Sequence, residues 1–262
     1  MTANGRVPWL DGRAAVDLGT ARVRLIGLGH PSIVDEPSAV PGGARPVRHG
    51  LVADAAACAR LVSRMLGAAP PGGAAATGQV LVGVPVSASA AERATVRGIV
   101  QRAAGCPASV VEEPLAAALG SGLDITDPRP QLLVDVGAGI VEAVVIRDAA
   151  VTDAVAVQLP ESEPGGGPHG GPGALPGHVR DRVADMTAEL LGRLPAPLRP
   201  AARERGLVLT GGGAAEPGLA GLLCSRLGLT VTCATEPAHA TVRGLARLCL
   251  PPLAALLALP TA

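Results

Sequence analysis

Two stretches of this chain, AAVDLGTARVRLIGL (14–28) and QLLVDVGAGIVEAVVIR (131–147), share one design. In each, an apolar strand ends at Asp-x-Gly, the chain turns tightly, and a second apolar run returns. Asp17–Leu18–Gly19 and Asp135–Val136–Gly137 are the matching positions. Further strands and then helices follow both. An order of elements that repeats in this way signals an internal duplication. Two α/β lobes facing each other across a cleft are the expected result.

The rest of the chain fills in that plan. AAVDLG (14–19) and VRLIGL (23–28) read as strands, and 37–50 as a Pro/Gly-rich loop. LVADAAACARLVSRML (51–66) has helical spacing, 69–78 is linker-like, and QVLVGVP (79–85) is a short buried strand. Residues 87–105 read as a helix with a Ser start and a Gly stop, 109–114 as a strand edge, and 115–122 as a helix of small residues. In the second half, 131–137, 141–147 and 150–159 are strands, and 160–177 is low-complexity. A helix over 178–194, a buried strand opening into three glycines at GLVLTGGGA (206–214), a helix over 216–227, a strand over 229–235 and a helix over 237–250 complete it. The expected lobes are 1–124 and 125–262, with the C-terminal helix packing back on the first.

Composition removes several function classes. The chain has 262 residues, 48% of them apolar, with no Phe or Tyr and one Trp, so its core is built from aliphatic residues and Ala. All 22 basic residues are Arg, which rules out a P-loop lysine and Schiff-base chemistry. Net charge is zero and no aromatics interleave the arginines, which argues against a nucleic-acid partner. The five cysteines are odd in number and far apart, and read as buried free thiols in a reducing compartment; the histidines have no metal-ligand spacing. No signal peptide is visible at the start. The apolar run LCLPPLAALLALP near the C-terminus is broken by Pro251–Pro252 and is shorter than the ~20 residues of a membrane span. It reads as a packed terminal helix or tail, with peripheral membrane contact as the alternative. Trp9 reads as a hydrophobic lid on the first strand.

The turns suggest the chemistry. Glycine-rich hairpins expose successive backbone N–H groups that cradle anions, and Thr20 adds a hydroxyl. Two such hairpins on opposing lobes would clamp one polyphosphate, with Asp17 and Asp135 holding Mg²⁺ through water. The glycines Gly211, Gly212 and Gly213 would let a nucleotide approach the main chain. Glu92, in the first turn of its helix, is a candidate for orienting a water on a terminal phosphate. The same features have plainer readings: Asp-x-Gly also simply ends strands, and an acid in a first turn favours the helix dipole.

These strings resemble the superfamily of actin, the heat-shock ATPases and the sugar kinases, and within it the bacterial actins MreB and Mbl. The resemblance rests on AVDLGTA (15–21), VDEPSAV (34–40), PVRHGLVAD (46–54), VGVPVSASAAERATV (82–96), VEEPLAAALGSGL (111–123), LLVDVGAGIVEAVVI (132–146), GLVLTGGGA (206–214) and EPAHATVRGLAR (236–247), in the family's order. It implies an α/β, actin-like (ribonuclease H-like) duplicated two-lobe fold, each lobe a mixed sheet flanked by helices, with ATP and Mg²⁺ in the cleft. Carried over, Asp17, Gly19 and Thr20 match the first phosphate loop. Asp135, Gly137 and Gly139 match the second, Gly211, Gly212 and Gly213 the adenosine loop, and Glu92 the acid assigned to hydrolysis; Asp135 is the other catalytic candidate.

Departures from the family pattern are specific. Ala138 and Ile140 stand where the second phosphate loop has glycine and threonine, and Arg22 and Val23 where the first has Asn and Thr. Only PGGARP separates VDEPSAV from VRHGLVAD, and the Pro/Gly stretch 160–177 stands where a second small subdomain is expected. Both outer subdomains are therefore expected to be missing. The implied function is a cytoplasmic cell-shape protein with a degenerate nucleotide cleft, at most a weak ATPase, accessory to full-length MreB filaments in cell-wall or spore-wall morphogenesis or assembling with itself. A shortened actin-fold ATPase with a chaperone-like role and a small-molecule kinase are the alternatives.

Overall fold

The computed structural model describes residues 13–27, 30–39, 45–67, 78–160, 175–250 and 253. Its first sheet begins as a meander of β1 (Arg13–Leu18), β2 (Arg22–Gly27) and β3 (His30–Pro37). On the free side of β1, β6 (Gln79–Val84) and β7 (Ala108–Glu112) add in parallel, giving the order β3-β2-β1-β6-β7. The second sheet repeats this plan with β8 (Gln131–Val136), β9 (Ile140–Arg147), β10 (Ala150–Gln158), β11 (Leu207–Thr210) and β12 (Val231–Cys233), in the order β10-β9-β8-β11-β12. Strand directions match as well as order. The duplication expected from the two Asp-x-Gly hairpins is thus realised sheet for sheet.

Helices cover both faces: α1 (Ala55–Gly67), α2 (Ala90–Ala104), α3 (Glu113–Gly120), α4 (Gly177–Arg193), α5 (Arg199–Arg205), α6 (Leu219–Leu227) and α7 (Ala240–Leu248). A two-stranded hairpin, β4 (Val47–Arg48) with β5 (Leu51–Val52), lies between β3 and α1. Strand periodicity assigns the layers. Ala14, Val16 and Leu18 pack with α1 and α2 on the outer face, while Ala15 joins a central cluster. Leu132, Val134 and Val136 likewise pack with α4 and α6, while Leu133 faces the centre. The central cluster also holds Val144, Ile146 and the apolar faces of α3 and α7. Asp17 and Asp135 share the parity of Ala15 and Leu133. The period of two therefore aims both carboxylates into the same layer between the sheets.

That layer is closed by α3 and α7, which cross without an intervening side chain. A Cβ on Gly120 would overlap the Ala240 carbonyl, and one on Gly244 would overlap the Ala116 carbonyl. The contact is reciprocal. The two Ala-x-x-x-Gly pairs, Ala116/Gly120 and Ala240/Gly244, occupy equivalent places in the two halves. Small residues allow backbones to approach this closely, and a core without aromatics requires it.

Some elements differ from the sequence expectation. HPSIVDEP forms β3 although its prolines near both ends and its lack of alternation carry no strand signal. Leu51 and Val52 belong to a strand rather than to α1, since His49 and Gly50 both take positive φ (50° and 71°) and form a hairpin turn. α6 starts at Leu219 because Gly218 (φ 82°) breaks the chain after Pro217. Cys58 and Cys249 are buried free thiols as expected, whereas Cys224 and Cys233 are exposed. No helix among the described residues is long and apolar enough to cross a membrane. Trp9, most of the linker at 69–78, most of the segment 160–177 and almost all of the run after Leu250 lie outside the described residues.

Candidate functional site

The two hairpin turns are built alike. A Cβ on Gly19 would sit 2.7 Å from the Arg22 carbonyl oxygen, and one on Gly137 would sit 2.8 Å from that of Ile140. Both glycines are therefore dictated by the tightness of the turn. The Gly137 N–H donates to Ile140 O at 3.0 Å, closing its turn. The turns meet across the interlobe gap, where a Cβ on Gly139 would lie 2.5 Å from Thr20 Oγ1. The tip of the β4–β5 hairpin ties them together. Gly50 N–H donates to Thr20 Oγ1 at 3.0 Å, and His49 Nδ1 donates to Gly139 O at 2.7 Å.

Carboxylates collect beneath the turns. Asp17 is buried, and its Oδ2 lies 3.3 Å from Arg24 Nη1. Arg24 Nε lies 3.3 Å from Asp35 Oδ2, and Arg22 Nε lies 2.5 Å from Asp35 Oδ1. Burial pushes the Asp17 pKa up, with the Arg24 charge working against it. Burial also works to raise Asp35, but the guanidiniums of Arg22 and Arg24 outweigh it and keep that group ionised. Asp135 is pushed to about 6 by burial first and by the Asp17 charge second. Glu142, 1% exposed, rises to about 8 through burial and the Asp135 charge, although its Oε1 accepts the Val86 N–H at 2.9 Å.

Glu113 is the residue that sequence reasoning missed. It opens α3 ahead of Pro114, packs over Gly83, and is 8% exposed. Its Oε1 is buried with no hydrogen-bond partner. Burial, then the charges of Asp17, Glu142 and Asp135, raise its pKa well above the usual carboxylate range and favour its neutral form. The signal lay in VEEP, an acid at a strand-to-helix junction, but only the fold reveals that it faces the cleft.

Asp17, Glu113 and Asp135 line one cavity of about 180 Å³. Its walls include Asp17, Gly19, Thr20, Arg24, Glu113, Asp135, Gly137, Gly139, Gly211 and Gly212. A neighbouring cavity of about 240 Å³, reaching Arg45 and His49, shares Thr20, Ala21, Ala138 and Gly139 with it. Each is smaller than the roughly 300–1,000 Å³ of ordinary small-molecule sites, and the two share four wall residues at the hairpin turns. Gly212 opens onto free space, whereas a Cβ on Gly211 would overlap Asp135 Oδ1 and one on Gly213 would lie 2.5 Å from Val136 Cγ1. Gly213 is thus a packing residue and is not part of the cleft lining.

Two sequence expectations change. Glu92 is exposed and is not part of the cleft lining. It forms a capping box with Ser89, whose N–H and Oγ–H donate to Glu92 Oε2 at 2.8 and 2.6 Å. The Mg²⁺ expected between Asp17 and Asp135 also fits poorly. Asp17 already faces the Arg24 guanidinium, so a cation there would meet a competing positive charge. Among the described residues, no group of three or more His, Cys, Asp or Glu is arranged to hold a metal.

Comparison with known proteins agrees with this architecture. A family model described as MreB/Mbl protein matches residues 42–160. The cell shape-determining protein MreB of Escherichia coli (strain K12) is 27% identical over 176 residues, covering 55% of this chain and 51% of that protein. The cell shape-determining protein Mbl of Bacillus subtilis (strain 168) is 22% identical over 170 residues, with the same coverage. The chain spans about half the length of the curated relatives it matches. Among solved structures, MreB5 of Spiroplasma citri bound to AMPPNP superposes with a TM-score of 0.75 at 16% identity, covering 90% of this chain and 95% of that one. A double helical filament of MamK superposes with a TM-score of 0.69 at 18% identity, covering 90% and 98%. Two equivalent five-stranded sheets closing on a cleft of paired Asp-x-Gly turns are the mark of an actin-fold protein. Within that fold, this chain is MreB-like.

Proposed function

We propose that this chain is a nucleotide-binding cytoskeletal protein that acts in cell shape, as an accessory of full-length MreB filaments or by self-association, and turns ATP over slowly. One observation carries the reading. The two hairpin turns and the Gly211–Gly212 segment arrive in one cleft from three separate places in the sequence. Backbone N–H groups at both turns suit a phosphate chain. The unpartnered Glu113 Oε1 belongs to an acid whose neutral form burial favours, and in that form the carboxyl O–H would donate to a phosphate oxygen. Neighbours bound to AMPPNP and ADP give this reading further support.

Slow turnover follows from what the cleft lacks. Ile140 is buried where a hydroxyl would reach a phosphate, and Glu92 is engaged with Ser89. The reading also takes residues 1–124 and 125–262 as two core lobes without outer subdomains. The short connections from Pro37 to Val47 and from Gln158 to Gly177 support it. With less surface for longitudinal contacts, assembly on a full-length partner filament is favoured over a stable filament of this chain alone.

The experiment is calorimetry with ATP, followed by sedimentation alone and with a full-length MreB. Wild type is expected to bind and Gly139→Ala, which carries a methyl into Thr20 where the two turns meet, to bind at least about tenfold more weakly, a loss of about 1.4 kcal/mol. Pelleting is expected with the partner filament. No heat from wild type overturns the nucleotide reading, and failure to pellet under either condition overturns the filament reading.

A further inference from the structure

The duplication makes it possible to ask which residues near the cleft the fold itself dictates. In β1–β2 the residue directly opposite Asp17 is Arg24; in β8–β9 the residue directly opposite Asp135 is Glu142. The two positions are equivalent in strand, register and parity, yet one carries a cation and the other an acid. The fold therefore does not require an arginine at position 24. Something local to the first lobe does.

Arg24 lines the cleft together with both hairpin turns, Glu113 and Gly212, and its side chain is 12% exposed. Its contacts to Asp17 and Asp35 are both 3.3 Å, longer than the 2.7–2.9 Å usual for a charge-assisted pair. They use two of the five guanidinium N–H donors. An arginine fork matches phosphate geometry, and this chain has no lysine to supply a point charge instead. Arg22, more exposed and paired with Asp35, adds a second cation at the cleft wall.

Resting on the nucleotide reading above, we propose that Arg24 is the cleft's own counter-charge for a phosphate chain. It occupies the place beside Asp17 that a divalent cation would need, so this protein binds nucleoside polyphosphates without a divalent metal. On phosphate arrival the guanidinium keeps its contact with Asp17 and turns its remaining N–H donors to phosphate oxygens. Gly19 and Gly139 hold the turns on either side of it. Burial favours the neutral forms of Glu113 and Glu142, which reduces the negative charge a phosphate chain would meet there beyond that of Asp17, Asp35 and Asp135.

The test is calorimetry with ADP and with ATP, each in MgCl₂ and in excess EDTA, on wild type and on Arg24→Gln. Wild-type affinity is expected to change less than about threefold on metal removal, while Arg24→Gln loses at least about tenfold in EDTA and recovers part of it in MgCl₂. Wild type that binds in MgCl₂ and loses tenfold or more in EDTA overturns this proposal and leaves the nucleotide reading intact. So does an Arg24→Gln protein that binds like wild type in EDTA. Wild type that binds under neither condition overturns both. If Arg24→Gln fails to fold because Asp17 is left unpaired, the wild-type comparison in MgCl₂ and EDTA still decides.

Discussion

At residue 142 a carboxyl group is buried between the lobes, with Asp135 as its cross-strand neighbour and the 85–88 loop of the first lobe as its hydrogen-bond donor. Its pKa of about 8 in the folded protein stands above the ordinary 4.5. A raised pKa means that the folded state holds its proton longer than the unfolded state does. The stability linked to that proton is complete below pH 4.5 and is lost as pH rises towards about 8. Each pH unit in that window costs about 1.4 kcal/mol. Glu142→Gln keeps an acceptor for Val86 N–H and removes the titration. Urea melts at pH 5 and pH 8 should therefore show a much smaller loss of stability in the variant than in wild type. The remaining slope belongs to the other buried acids whose pKa the fold raises, Asp135 (about 6), Glu113 and Asp17. Gly139 is tested at the same scale. Gly139→Ala drives a methyl into Thr20 and should destabilise by about 1–3 kcal/mol in the same melts.

Among the elements, α2 and the α3–α7 crossing make different demands. The α2 N-terminus depends on the Ser89–Glu92 box, and Ser89→Ala should cost about 1 kcal/mol in thermal melts without changing nucleotide affinity. The crossing tolerates nothing, because Gly120→Ala or Gly244→Ala places a methyl into a carbonyl of the opposite helix. Either change should destabilise by about 2 kcal/mol or more. How much of this was legible in the sequence depends on the range of the interaction. The Gly19 and Gly137 turns, the Ser89 start and the Gly105 stop are set by neighbours within a few residues, and the sequence displayed them. Ser89-Ala-Ala-Glu92 spells the capping box that the structure forms, whereas a cleft role for Glu92 draws its weight from the family resemblance. Arg24, Glu113 and Glu142 could not be read, because their roles depend on strand register and on which face meets the other lobe. The α3–α7 contact was equally hidden, since its glycines look like ordinary members of small-residue helices.

For the molecule as a whole, one central cluster draws residues from both sheets and from α3 and α7. Calorimetry should therefore show a single cooperative unfolding transition rather than one for each lobe. Saturating ATP, at about 100 times Kd, should stabilise that transition as a unit by about 2.7 kcal/mol. The helix crossing has a further consequence, best put in terms of mutational tolerance. In a library of every single substitution, scored only for folded protein, positions 120 and 244 should be depleted of everything except glycine. Positions 138 and 212, which face the open cleft, should accept many residues. The ligand-facing surface thus tolerates substitutions that the central joint does not, so nucleotide affinity and folding are separable properties of this chain.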